Sequence, residues 1–153
     1  MKSQKILISS CLLGNNVKYD GTHNSVIENL FIEKLIKLDM LIAICPEVDG
    51  GLPTPRPKAE IFNKKVINIE KIDVTKQFLS GAKKTCEIAK KNSVKIAILK
   101  SKSPSCGKDF IYDGSFTKTL INGDGIAVEA LKKIGIQIFS EKELEQVEKL
   151  IFK

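Results

Sequence analysis

The chain has no tryptophan, a single histidine (His23) and a single arginine (Arg56) among its 153 residues, and only 6% of it is aromatic. So little ring and guanidinium chemistry argues against a dedicated nucleic-acid binder, which interleaves stacking rings with clustered Arg and Lys. No run of about 18 apolar residues is available to span a membrane. The opening Met1-Lys2-Ser3-Gln4-Lys5 lacks the apolar core and cleavage site of a secretory leader. A cytoplasmic setting is therefore expected, where thiols stay reduced. No internal repeat, low-complexity tract or Pro/Ser-rich linker interrupts the chain, so one domain over residues 1–153 is expected. A domain of that size buries about two-thirds of its unfolded surface.

Familiar site motifs are absent too. Without a C-x-x-C there is neither a thioredoxin-like pair nor a zinc ribbon. No Walker A loop and no G-x-G-x-x-G occur. Cys11-Leu12-Leu13-Gly14-Asn15 has the look of a tyrosine-phosphatase phosphate loop, but Val17 stands where that loop needs its arginine. The net charge of +7 is almost entirely Lys, spread over helix faces and strand ends. This is the pattern of a solvated surface, and its field favours a small anionic partner over a polyanion.

What the chain does have is short aliphatic runs that stop at a cysteine. Residues 5–10, 41–44 and 95–100 read as buried parallel strands. Cys11, Cys45 and Cys106 follow them in loops rich in Gly, Pro or Ser. Helical patterns alternate with the strands, over 24–38, 76–91, 125–134 and 141–151, which predicts a three-layer α/β domain with a mostly parallel sheet and flanking helices. Asp73 or Thr75, Asp124, and a Ser140–Glu143 capping box are the expected helix starts. The stretch 45–57, with Pro46, Pro53, Pro55 and Pro57, is expected to be a rigid extended loop without helix. A lesser strand at 65–69 reads as an edge or hairpin partner. If the three main strands are neighbours, their thiols converge at the carboxyl edge of the sheet, where open α/β sheets build their sites. Three soft ligands there point to a metal centre with an open position. Cys86, in mid-helix, is read as a packing residue.

Three motifs carry a resemblance. The first is Ile8-Ser9-Ser10-Cys11-Leu12-Leu13-Gly14 with Tyr19-Asp20-Gly21. The second is Cys45-Pro46-Glu47 with Gly50-Gly51-Leu52-Pro53-Thr54-Pro55-Arg56-Pro57 and Ala59-Glu60. The third is Lys100-Ser101-Lys102-Ser103-Pro104-Ser105-Cys106-Gly107 with Ile111-Tyr112-Asp113-Gly114. Together they resemble the bacterial family catalogued as domain of unknown function 523, which includes 2-thiouracil desulfidases. The resemblance implies a [4Fe-4S] cluster held by Cys11, Cys45 and Cys106, with one iron left without a protein ligand. It also implies removal of sulfur from a thiolated heterocycle such as 2-thiouracil, with water supplying the oxygen and no net redox change.

Such chemistry needs a proton carrier. Glu47, two residues from a ligand, is the candidate general acid/base, and Ser103 a candidate donor to substrate or to the attacking water. Ser105 is a turn or ligand-supporting residue and a candidate substrate contact. Arg56 either anchors an anionic substrate or pairs internally with Glu60 or Asp20. Asp20, before Gly21, is a turn residue beside the site and a further substrate-contact candidate. The expected partner is a small thio-substrate. The alternatives are a non-catalytic iron–sulfur or zinc binding protein that carries sulfur or metal, and an α/β binding module whose thiols are placed by chance.

Overall fold

Strand β1 (Ile6–Ser9) has all four residues buried, because both faces of the strand are covered by helices. A turn of 3-10 helix (Ser10–Leu13) follows, and then α1 (Leu30–Lys37), β2 (Leu41–Ile44) and a single helical turn, α2 (Pro46–Asp49). Next come β3 (Ala59–Phe62), β4 (Lys65–Asn68), α3 (Thr75–Lys91) and β5 (Ile96–Leu99). The chain continues with β6 (Phe110–Tyr112), β7 (Leu120–Asn122), α4 (Ile126–Lys133) and β8 (Gln137–Ser140). A second 3-10 turn (Glu141–Glu143) leads into α5 (Leu144–Ile151). This computed structural model describes residues 4–152, so Met1 to Ser3 of the opening segment Met1 to Lys5 lie outside the described residues.

The main sheet is parallel throughout and ordered β2-β1-β5-β8. Ile6 and Ile8 of β1 face α1 and α5, in a core with Phe31, Leu35, Phe139 and Val147. Leu7 points the other way, to α3 and α4, with Ala89, Val128 and Leu131. Three layers result. The chain steps from β1 outward to β2, then returns to β5 on the opposite side, so the order reverses between β1 and β5. A reversal of this kind opens a crevice at the carboxyl ends, because the flanking loops diverge there. Two antiparallel ribbons, β3–β4 and β6–β7, stand outside the main sheet.

Several element boundaries differ from expectation, each for a hydrogen-bonding reason. Helix α1 begins at Leu30 and not near residue 24. The amides of Asn24 and Val26 donate to Cys11 and Leu12 of the preceding 3-10 turn, while the Asn29 side chain caps Phe31 and Ile32. The segment after Cys45 does contain helix. Pro46 occupies its first turn, where the missing amide costs nothing. Asp124 does not cap α4, since its carboxylate accepts from the Asp109 amide and Lys132 while Gly125 is the capping position. The Ser140–Glu143 capping box forms as expected, but it opens the 3-10 turn before α5. Strand β7 had no clear signal, because its three residues are all exposed.

Helix α2 owes its place to a missing side chain. A Cβ on Gly81 of α3 would lie 1.7 Å from the Pro46 carbonyl oxygen, so only glycine permits this approach. That contact fixes the segment bearing Cys45 and Glu47.

Candidate active site

The three cysteines follow three adjacent strands, β1, β2 and β5, and all line one cavity of about 330 Å³ at the carboxyl edge. Cys11 sits in the 3-10 turn after β1, Cys45 starts α2, and Cys106 ends the serine-rich loop after β5. Glu47, Arg56, Ser103 and Ser105 line the same cavity. Thus all but one of the residues singled out in the sequence meet at one place. The exception is Asp20, which is exposed and absent from the lining. Its carboxylate accepts from the Thr22 hydroxyl and amide, bonds that hold it below the usual carboxylate range. Cys86 lies on α3, packed beside the core and away from the cavity.

Burial raises all three cavity thiols. Cys11 is pushed up to about 11 by desolvation, with Lys100 pulling the other way. Cys106 reaches about 12 for the same reason, against the pull of the Ser9 hydroxyl. Cys45 is raised by burial too, offset in part by the Val48 amide. These are thiols that ionise when a metal displaces the proton.

Glu47 is held on both oxygens. Arg56 Nε donates to Oε1 at 3.0 Å, and the Ser105 hydroxyl donates to Oε2 at 2.8 Å. The direction of that second bond follows from lone-pair accounting. Ser103 Oγ accepts from the amides of Ser105 (3.1 Å) and Cys106 (3.0 Å), which fills both its acceptor positions. Its proton must therefore go to Ser105 Oγ, 2.9 Å away, and the Ser105 proton to Glu47. The result is a directed relay: Ser103 to Ser105 to Glu47. Pro104, between the two serines, helps set the turn that makes it.

Arg56 pairs with neither of the partners expected from the sequence. Its side chain is 4% exposed, and besides Glu47 it donates to the Pro53 carbonyl, the Thr54 hydroxyl and the Val17 carbonyl. The guanidinium fork is spent on fixing Glu47 and on tying the loop at Val17 to the proline-rich segment.

Three further residues carry the site to which the sequence reading gave no role in it. Ser9 closes β1 fully buried and accepts the Lys100 amide at 2.9 Å, which joins the ends of β1 and β5. The one available signal was a hydroxyl ending an otherwise aliphatic strand. Glu141 accepts from the Ser101 amide (2.8 Å) and hydroxyl (3.0 Å) and pairs with Lys100 at 3.0 Å, bracing the start of the Ser103 loop. Glu60, buried at 7% exposure, is a cavity wall residue.

The donor set fits an iron–sulfur cluster, since three thiols from three separate loops line one cavity. In a cubane each thiolate binds a different corner.

Fold and site define a class: a three-layer α/β protein with three thiols and a buried carboxylate around a cavity at the strand ends. The family described as 2-thiouracil desulfurase matches residues 6–143, and the chain belongs to that family. A relative in Bacillus subtilis (strain 168), the uncharacterized protein YbbK, is 38% identical, across 93% of this chain and 99% of that one. A solved structure named as the [4Fe-4S]-dependent thiouracil desulfidase TudS matches with a TM-score of 0.93 and 38% identity, over 97% of each chain.

Proposed function

We propose that this chain is a cluster-dependent desulfidase that converts the C=S group of a thiolated heterocycle such as 2-thiouracil to C=O, consuming one water and releasing one hydrogen sulfide. The observation that carries the reading is the meeting of Cys11, Cys45 and Cys106 with the Ser103–Ser105–Glu47 relay in one cavity. The three thiols would hold a [4Fe-4S] cluster, which when bound supplies an iron free of protein ligands as a soft Lewis acid for the thiocarbonyl sulfur. The free thiols suit the reducing conditions of a cytoplasm. The chain acts as one α/β unit on a small substrate, and no helix among the described residues is long and apolar enough to cross a membrane.

Glu47 is assigned the proton transfers. Its carboxylate takes a proton from the water that adds to the thiocarbonyl carbon and returns it to the departing sulfur; the second proton leaves the new hydroxyl as the C=O forms and completes hydrogen sulfide, so protons and electrons balance without a redox partner. Arg56 and Ser105 fix the carboxylate in orientation, so little motion is needed at the moment of transfer. Ser103 acts through Ser105, as a positioning residue, because its own proton is directed there. Asp20 keeps its turn and has no assigned contact with substrate.

Glu47→Gln tests the assignment. The amide occupies the same volume but cannot take up a proton. Sulfide release from 2-thiouracil by the reconstituted protein should fall by about a hundredfold or more, with the visible absorption of the cluster unchanged. Multiple turnovers by the wild type with wild-type-like turnover in the variant would remove Glu47 from the chemistry. A single stoichiometric release of sulfide by the wild type would instead favour a sulfur carrier.

A further inference from the structure

Glu60 is a buried carboxylate that the relay does not use. It sits on β3 in the cavity wall, and it is 7% exposed. Its Oε1 accepts two backbone amides, from Gly114 at 3.0 Å and from Phe116 at 3.1 Å. Those bonds hold down the loop between β6 and β7, whose Phe116 and Lys118 also line the cavity. Its Oε2 accepts nothing and forms no ion pair among the described residues. Since no non-exposed residue carries a sealed and unpaired side-chain oxygen, Oε2 keeps access to open space.

An acceptor with so little exposure, open only toward the cavity space, is well placed for a donor on a ligand that fills that space. Two neighbouring lysines of the wall, Lys58 and Lys118, are within the lining yet neither pairs with it. Oε2 is thus an acceptor left open to a donor that enters the cavity.

We infer that Glu60 is a specificity-determining residue, whose Oε2 accepts a hydrogen bond from a ring N–H of the thiolated heterocycle while Oε1 anchors the loop carrying Phe116. This rests on the desulfidase reading and extends it to the substrate class: thioamide-type rings in which the C=S carbon is flanked by an N–H. A site built to accept such a hydrogen rejects the analogue that lacks it, because the buried oxygen is then left unpaired.

Glu60→Gln separates the two tasks. The Gln carbonyl can still accept the Gly114 and Phe116 amides, while its NH2 replaces the open acceptor with a donor. With the reconstituted protein, KM and equilibrium binding would be measured for 2-thiouracil and for its N1-methyl and N3-methyl derivatives. The wild type should lose about tenfold or more in affinity when the bonded nitrogen is methylated. In the Glu60→Gln protein 2-thiouracil should bind about tenfold more weakly, with the loss in KM and not in kcat, and the discrimination against that methyl derivative should shrink. Glu60→Ala should add a loss of order in the loop, read as faster proteolysis at residues 113–119. Wild-type KM and unaltered discrimination in Glu60→Gln, with damage only in Glu60→Ala, would reduce Glu60 to a loop anchor. Failure of the wild type to bind or convert any of the three compounds would overturn the desulfidase reading and this inference together.

Discussion

At the scale of single residues, the site is organised around keeping one carboxylate in place. Glu47 has no freedom on either oxygen: Arg56 takes one and Ser105 the other. The ion pair is buried, with side-chain exposures of 4% for Arg56 and 14% for Glu47. Buried pairs of this kind add little net stability when whole, but removing one partner strands the other charge. Arg56→Ala should therefore destabilise the protein by about 3–5 kcal/mol, visible as a lower midpoint in denaturant unfolding. It should also weaken turnover by freeing Glu47. A variant as stable as the wild type would mean that the pair is solvated in solution. The sequence presented Arg56 as a possible anchor for an anionic substrate, since a lone guanidinium in a Lys-rich chain draws that reading. Its real partner was hidden because the pairing depends on how the proline-rich segment folds back over α2, which no local pattern encodes.

At the scale of elements, strand ends and glycines do the positioning. The three cysteines were legible as strand-end residues because aliphatic runs bounded by Gly, Pro and Ser leave few alternatives. Their adjacency depended on sheet order, which the βαβ alternation made the simplest choice. Helix α2 was not legible: four residues behind a cysteine and a proline carry no periodicity. Nor was the role of Gly81, whose need is felt only across the contact with Pro46. Gly81→Ala would force that contact apart, at a cost of about 3 kcal/mol in stability. Because α2 carries Cys45 and Glu47, the iron content after anaerobic reconstitution should fall as well. Full iron content and unchanged stability would show that α2 moves aside freely. The boundary of α1 was misjudged for a similar reason, since the amides of Asn24 and Val26 were already committed to the turn after β1.

At the scale of the whole molecule, the main sheet and the two ribbons divide the labour. Strands β1, β2 and β5 deliver the thiols, and the order reversal beside β1 opens the crevice that receives them. Ser9, Lys100 and Glu141 lock the ends of β1 and β5 to the turn after β8, so the edge is rigid where the ligands stand. The ribbons β3–β4 and β6–β7 close the far wall through Glu60 and Phe116. The three-layer class and the convergence of Cys11, Cys45 and Cys106 were readable from the sequence. The relay and the wall were not, because both join segments distant in the chain through side chains whose neighbours say nothing of the pairing.

Cys11, Cys45 and Cys106, and not Cys86, would hold one cluster. The decisive assay is iron and acid-labile sulfide per chain, with the visible absorption spectrum, after anaerobic reconstitution of the wild type and of the four single Cys→Ser variants. About four irons and four sulfides are expected in the wild type and in Cys86→Ser, with loss of both and of the visible band in Cys11→Ser, Cys45→Ser and Cys106→Ser. A colourless wild type, or a full cluster in any one of the three cavity-thiol variants, would contradict that assignment.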